Sequence, residues 1–173
     1  MFLNINNKPN ITLCGMMGSG KSVIGRIIAK EINYNFVDID ALIEKKTKKT
    51  INKIFEENGE KYFRNLEEKI TIDILKNEKN IISLGGGAIK NKNIRISIKK
   101  NSYNIYLKVS IEILKKRLQK SNKRPLLDKN DIKKTLINLM ETREKFYKKA
   151  DLIIKNEKNI FDAAKDIIKK IKQ

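Results

Sequence analysis

The sequence predicts an α/β fold in which a parallel sheet is covered by helices on both faces. Three observations carry that prediction. Five short apolar runs, each read as a buried strand, are separated by longer segments with helical periodicity. Six of the eight glycines fall in two places, Gly15, Gly18 and Gly20 in one loop and Gly85, Gly86 and Gly87 in another, each after an apolar run. The 173 residues contain no internal repeat and no Pro-, Ser- or Gly-rich linker, so residues 1–173 are expected to form one domain. A chain of that length buries about 70% of its unfolded surface and needs no staples.

The first apolar run, Ile11 to Cys14, leads into Gly15-Met16-Met17-Gly18-Ser19-Gly20-Lys21-Ser22. This is a full G-x-x-x-x-G-K-[ST] pattern between a strand and a helix. Glycines let successive backbone N–H groups turn into one concavity, and the following helix adds the positive end of its dipole. Lys21 is placed to reach β- and γ-phosphates, and the Ser22 hydroxyl to ligate Mg²⁺. The pattern implies a nucleoside triphosphate ligand. Val23, Ile27, Ile28 and Ile32 then give the helical stripe expected behind such a loop.

The second run, Phe36 to Ile39, overlaps Asp38-Ile39-Asp40. A strand's period of two would put both carboxylates on one side, at the carboxyl end where parallel sheets gather ligands. The plainer alternative is two solvated acids opening a helix, where negative charge is favourable. Proximity to the phosphate loop favours a role beside Mg²⁺ and an acceptor hydroxyl. Gly59-Glu60-Lys61-Tyr62-Phe63-Arg64, continuing to Glu67, combines apolar walls from Phe55 and Phe63 with a guanidinium that can grip a carboxylate through two parallel bonds. Taken alone, this segment reads better as an amphipathic helix with an ordinary surface arginine. Leu66, Ile70, Ile74 and Leu75 continue the helical pattern.

The third run, Ile81 to Leu84, precedes the triple glycine, where backbone must approach a ligand with no side chain in the way. Tyr103 to Leu107 and Leu152 to Ile154 supply the remaining strands. Between them, residues 121–131 are polar and basic and contain Arg124-Pro125-Leu126-Leu127, with Arg117 and Arg143 on either side. This stretch is expected to be a mobile excursion; an arginine on such a segment could close over transferring phosphates, and the residues alone only suggest that role. Phe161, Ala164, Ile167, Ile168 and Ile171 predict a closing amphipathic helix.

Composition narrows the chemistry further. With no histidine and one cysteine, Cys14, the chain has no internal disulfide, no Cys-based zinc site and no histidine base. Any catalysis falls to carboxylates, Lys, Arg and backbone amides. No apolar run approaches the ~18 residues of a membrane span, and the first residues lack a secretory pattern, so a cytoplasmic location is expected. The net charge of +19 comes from 33 Lys and only 6 Arg, spread along the whole chain. Nearly half of all residues are Lys, Ile or Asn, whose codons are A/T-rich, so compositional bias accounts for much of the charge. With lysine dispersed and tryptophan absent, a specific nucleic-acid partner is not expected. Where arginine persists against such a lysine background, a geometric demand for guanidinium is the better reading.

Together these motifs resemble shikimate kinases across about residues 11–168. The matching elements are GMMGSGKS at 15–22, FVDID at 36–40, GEKYFR at 59–64, LGGGA at 84–88 and RPLL at 124–127, in the family's order. The phosphate loop is common to many enzymes; its combination with the other elements is specific. The resemblance implies a three-layer P-loop kinase fold with a parallel five-stranded sheet, a mobile lid at about 121–131 and an acceptor-binding helical region at about 40–70. It implies ATP-dependent phosphorylation of the 3-hydroxyl of shikimate with Mg²⁺ as cofactor, by a monomer. Lys21, Asp40 and Arg124 would be catalytic. Gly18, Ser19, Gly20, Lys21, Ser22, Val23, Arg117 and Arg124 would bind ATP, with Ser22 and Asp38 serving the metal. Asp40, Arg64, Gly86, Gly87, Arg143, Phe55, Phe63 and Glu67 would bind shikimate. Ile160 departs from the family, which often has proline near that position beside the adenine. Among other kinases, gluconate and nucleoside monophosphate enzymes are disfavoured by Arg64 and the triple glycine.

Overall fold

In the computed structural model, residues 3–119, 131–157 and 159–172 are described. Five parallel strands form one sheet in the order β2-β3-β1-β4-β5, with β1 at Asn10–Cys14, β2 at Asn35–Asp38, β3 at Asn80–Ser83, β4 at Ser102–Lys108 and β5 at Leu152–Lys155. The helices are α1 (Lys21–Ile32), α2 (Ile39–Thr47), α3 (Ile51–Leu75), α4 (Lys92–Asn101), α5 (Ile111–Leu118), α6 (Ile132–Tyr147) and α7 (Ile160–Ile171). A 3₁₀ turn at Ala88–Lys90 follows β3. The five strands anticipated from the apolar runs are all present.

Each central strand feeds two cores because its side chains alternate between faces. Ile11, Leu13, Ile81, Ile105 and Leu107 pack with Ile24 and Ile28 of α1 and Ile167 and Ile171 of α7. The intervening Ile82 and Tyr106 pack on the other side with Ile43, Phe63, Ile98, Leu114 and Leu136, from α2, α3, α4, α5 and α6. Arg26 and Lys30 leave the polar face of α1 outward, as the spacing of Ile24, Ile28 and Ile32 requires.

Connectivity fixes where a ligand can lie. β1 and β3 are neighbours, yet β1 continues to β2 on one side of the pair and β3 to β4 on the other. Helices therefore leave in opposite directions and open a crevice at the carboxyl ends of these two strands. The loop 15–20 follows β1 and the triple glycine follows β3, so the two glycine clusters stand side by side there.

One boundary corrects the sequence reading. β2 ends at Asp38, and Ile39 already begins α2. Asp38 is the N-cap, its carboxylate accepting from Ala41 N at 3.2 Å, and Asp40 lies in the first helical turn. The two acids thus meet the site through a capped helix, not through strand alternation. Helix α3 turns at Gly59, where φ 78 and ψ 168 interrupt the helical backbone. The anticipated lid, 121–131, falls outside the described residues except for Asp131, which caps α6 by accepting from Lys134 N at 3.0 Å.

At the opposite end of the sheet, the fully buried Asn10 ties three chain segments together. Its Nδ2 donates to Asn77 O at 2.6 Å and Asn101 O at 3.2 Å, while its Oδ1 accepts from Asn80 N at 3.0 Å. Asn10→Ala strands the buried Asn80 N–H, an orphan costing about 1–3 kcal/mol, and frees two half-buried carbonyls. The expected outcome is a lower urea midpoint with native activity at 25 °C, because the site lies at the carboxyl ends of the strands. Unchanged stability would show that the network contributes nothing net.

Candidate functional site

The phosphate loop is closed by its own lysine. Lys21, the first residue of α1, is almost fully buried and donates through Nζ to Gly15 O and Met16 O, both at 3.0 Å. Its ammonium is thereby folded across the mouth of the loop, where phosphate oxygens can replace or join those carbonyls. Ser19 donates its N–H to Met16 O at 3.1 Å and buries its side chain completely, so it shapes the loop with backbone. The Ser22 hydroxyl donates to Asp38, and Ser83 Oγ lies 3.5 Å from it at the end of β3. A cavity of about 470 Å³ opens here, lined among others by Gly18, Gly20, Val23, Asp40, Glu44 and Ser83.

Each residue of the triple glycine faces a different charged side chain. A Cβ on Gly85 would collide with Glu67 Oε1 and stand 2.8 Å from Asp40 Oδ1. One on Gly86 would stand 3.4 Å from Arg143 Nη1, and one on Gly87 2.8 Å from both Nη atoms of Arg64. A Cβ at 85 or 87 would therefore displace the carboxylate or guanidinium ends that now lie against the turn. The structure therefore brings Asp40 from α2, Arg64 and Glu67 from α3, and Arg143 from α6 onto one turn beside the phosphate loop.

Arg64 differs from the free fork that the sequence suggests. Its Nε and Nη2 both donate to Glu60 Oε1, at 3.1 and 3.0 Å, and Nη1 donates to Glu67 Oε2 at 2.7 Å. Burial alone would lower the pKa of this guanidinium, but Glu67 and Glu60 outweigh it and hold the charge more firmly. Glu67 is buried, and that burial pushes its carboxyl above the usual range, with Arg64 pulling the other way. The neutral wall comes from Phe55 and Phe63, which flank the Gly59 bend with ring centroids 4.9 Å apart, and Arg64 lies over the Phe63 ring at 5.1 Å.

Arg143 is 3% exposed, and its Nε and Nη1 have no hydrogen-bond partner among the described residues. Buried guanidinium nitrogens are rarely left so, because desolvation without a partner is expensive. On the far side of the phosphate loop, Arg117 donates to Gly18 O at 3.2 Å and Asn156 O at 3.0 Å. Ile160 Cγ1 would stand 3.9 Å from a Cβ on Gly20, so isoleucine does pack against the loop here. Arg124 lies outside the described residues.

Four contributors escaped the sequence reading. Asn156 is buried and donates through Nδ2 to Ser19 O at 2.9 Å, bracing the loop from the end of β5. Ser83 stands at the end of β3, and Arg26 lines the cavity from α1. The Tyr147 hydroxyl donates to Gly86 O at 2.5 Å. For Asn156 and Ser83 a usable signal existed, since both are polar residues at the carboxyl end of an apolar run. Cys14, in contrast, is fully buried with its thiol pushed up to about 12 by desolvation, and takes no part in nucleophilic chemistry.

Comparison with known proteins bears directly on this arrangement. The family model described as shikimate kinase matches residues 17–172. The shikimate kinase of Caldanaerobacter subterraneus subsp. tengcongensis is 37% identical over 161 residues, covering 92% of this chain and 94% of that protein. The shikimate kinase of Rippkaea orientalis is 43% identical over 145 residues, covering 84% and 77%. Among solved structures, the shikimate kinase from Acinetobacter baumannii in complex with shikimate superposes with a TM-score of 0.91 at 32% identity, covering 94% of this chain and 92% of that one. The family match extends through the phosphate loop's lysine, the triple glycine and the α6 arginine, and the chain belongs to the shikimate kinase family.

Proposed function

We propose that the protein transfers the γ-phosphoryl group of ATP to the 3-hydroxyl of shikimate, giving shikimate 3-phosphate and ADP. The observation that carries this reading is the convergence of Asp40, Arg64 and Arg143 on a side-chain-free turn next to a phosphate loop. A small, polyhydroxylated carboxylic acid matches that set: guanidinium groups for its carboxylate, a carboxylate for its hydroxyls, and apolar walls at Phe55 and Phe63 for its ring.

In this reading, Gly18, Gly20 and Lys21 hold the β- and γ-phosphates, with Ser19 and Val23 completing the loop and Arg117 bordering the adenine. Arg64 and Arg143 bind the acceptor's carboxylate against Gly86 and Gly87, and Glu67 holds Arg64 in place. Asp40 accepts a hydrogen bond from the 3-hydroxyl and takes its proton as the oxygen forms a bond to the γ-phosphorus. The bond from that phosphorus to the β,γ-bridging oxygen breaks, and ADP leaves with the electron pair. Lys21 neutralises charge that develops on the transferring group, and Arg124 is assigned the same task from its position in the sequence.

The donors near Ser22 suit Mg²⁺. The Ser22 hydroxyl, the Asp38 carboxylate and the Ser83 hydroxyl are all oxygen ligands, the chemistry a hard cation prefers. No group of three or more His, Cys, Asp or Glu able to hold a metal is found among the described residues, which fits an ion shared with nucleotide phosphates. Ser22 would ligate the ion directly and Asp38 would hold its water shell; when bound, it neutralises phosphate charge. We further read the protein as a one-domain monomer of the cytoplasm. Among the described residues no helix is long and apolar enough to cross a membrane.

The substrate reading is tested by coupled ADP release with ATP and Mg²⁺ against shikimate, gluconate and nucleoside monophosphates. Turnover with shikimate alone is expected; preference for another acceptor would overturn the reading.

A second prediction isolates the carboxylate anchor. Arg64→Lys keeps the charge but loses the fork, removing a charge-assisted bond that contributes about 1.5–3 kcal/mol. The kcat/KM for shikimate should fall roughly ten- to hundredfold while the KM for ATP stays put. Lys45→Arg, on the exposed face of α2, serves as the control and should change neither. Equal effects on both substrates would remove Arg64 from the acceptor site.

A further inference from the structure

The triple-glycine turn has a weakness that its side-chain-free surface creates. With no Cβ on either side, the Gly86–Gly87 peptide can rotate between orientations that other residues would forbid. In a trans peptide the C=O of residue 86 and the N–H of residue 87 point in opposite directions, so fixing one fixes the other. The carbonyls on either side are already held by the 3₁₀ turn, Gly85 O by Ala88 N at 3.1 Å and Gly87 O by Lys90 N at 3.0 Å. Among the described residues the middle carbonyl, Gly86 O, is held by a side chain: the Tyr147 hydroxyl at 2.5 Å.

We propose that Tyr147 is a positioning residue for the acceptor, setting the Gly86–Gly87 peptide so that the Gly87 N–H faces the bound substrate. Four features support this. Tyr147 is 1% exposed, so water does not compete for its hydroxyl. Its ring is stacked on Tyr106 at 5.0 Å with 19° between planes, which leaves the hydroxyl little freedom. It lies one helical turn after Arg143, whose Nη1 approaches Gly86 from the same face of α6, so one helix delivers the guanidinium and the pin together. Its hydroxyl also lies 3.8 Å from Met16 Sδ, joining the turn to the phosphate loop. Desolvation raises the pKa of Tyr147, which keeps the hydroxyl protonated and able to donate at every working pH. Tyr106 provides the contrast: its hydroxyl meets Met140 Sδ at 4.0 Å, and among the described residues it has no hydrogen bond to the turn.

The inference rests on the acceptor-site reading above, and its test separates the two. Tyr147→Phe keeps the ring and the stack and removes the pin; Tyr106→Phe removes the neighbouring hydroxyl and leaves the pin. For Tyr147→Phe the KM for shikimate should rise roughly tenfold, with kcat and the KM for ATP within about twofold of the parent. Tyr106→Phe should leave all three unchanged. Without any ligand, amide exchange across residues 84–90 should quicken in Tyr147→Phe and not in Tyr106→Phe, while β1 exchange stays as in the parent. An unchanged KM for shikimate, or equal losses for both substrates with a falling Tm, would overturn the role. If the parent protein does not phosphorylate shikimate at all, the acceptor reading fails, and the exchange arm alone decides: unaltered exchange at 84–90 in Tyr147→Phe removes the pin as well.

Discussion

The site depends on close approach of charge to bare backbone. Asp40 and Glu67 lie against Gly85 and Arg64 against Gly87, closer than a Cβ could sit without a shift, while Arg143 stands 3.4 Å from where a Cβ on Gly86 would be. Three helices, α2, α3 and α6, must therefore stand at fixed distances from the end of β3. What sets those distances is the core on that face, where Ile39, Ile43, Phe63, Ile82 and Leu136 are buried together. Interiors pack densely enough that a small shift on one helix is transmitted to its neighbours. The apolar core and the polar site are thus parts of one constraint, with the turn as the point where it is most demanding.

Opposite charges meet at close range around the turn. Two guanidinium groups and the carboxylates of Asp40, Glu60 and Glu67 gather there. Burial raises Glu67 and Arg64 opposes the rise. A carboxyl raised in the folded state favours folding below its unfolded pKa, and that contribution fades as pH climbs through the folded value. At neutral pH Glu67 is therefore held at some expense to stability, with Arg64 as its compensation. Arg143 carries the complementary debt, two buried nitrogens without partners among the described residues. Such groups in a native structure call for a partner, and a substrate carboxylate is one that both arginines could share.

Much of this was legible in the chain. Five apolar runs and two glycine clusters pointed to the sheet, its parallel sense and the strand ends where the two glycine loops meet, because each of those features answers to local rules. The phosphate loop was readable to the residue, since its chemistry needs Gly, Lys and a hydroxyl at fixed spacing. Asp38 and Asp40 do border the cavity beside the phosphate loop, but not through strand alternation: the helix begins one residue earlier than the apolar run suggested, and a capping bond sets their placement. The engagement of Arg64 by Glu60 and Glu67 could be inferred from i,i+4 and i,i+3 spacing, yet nothing local says which of many possible pairs forms. Asn156 could be picked out as a polar residue at the end of an apolar run, but its partner Ser19 is 137 residues away in sequence, and Tyr147, whose partner Gly86 is 61 residues away, gave no local sign at all. Only the packed sheet brings them together.

The most direct measurement is a crystal structure of the protein with ADP, Mg²⁺ and shikimate. The account predicts the shikimate carboxylate between Arg64 and Arg143, the ring beside Phe55 and Phe63, and the 3-hydroxyl within about 3 Å of Asp40. A carboxylate bound away from both guanidinium groups, or a 3-hydroxyl turned from Asp40 and the phosphate loop, would contradict it.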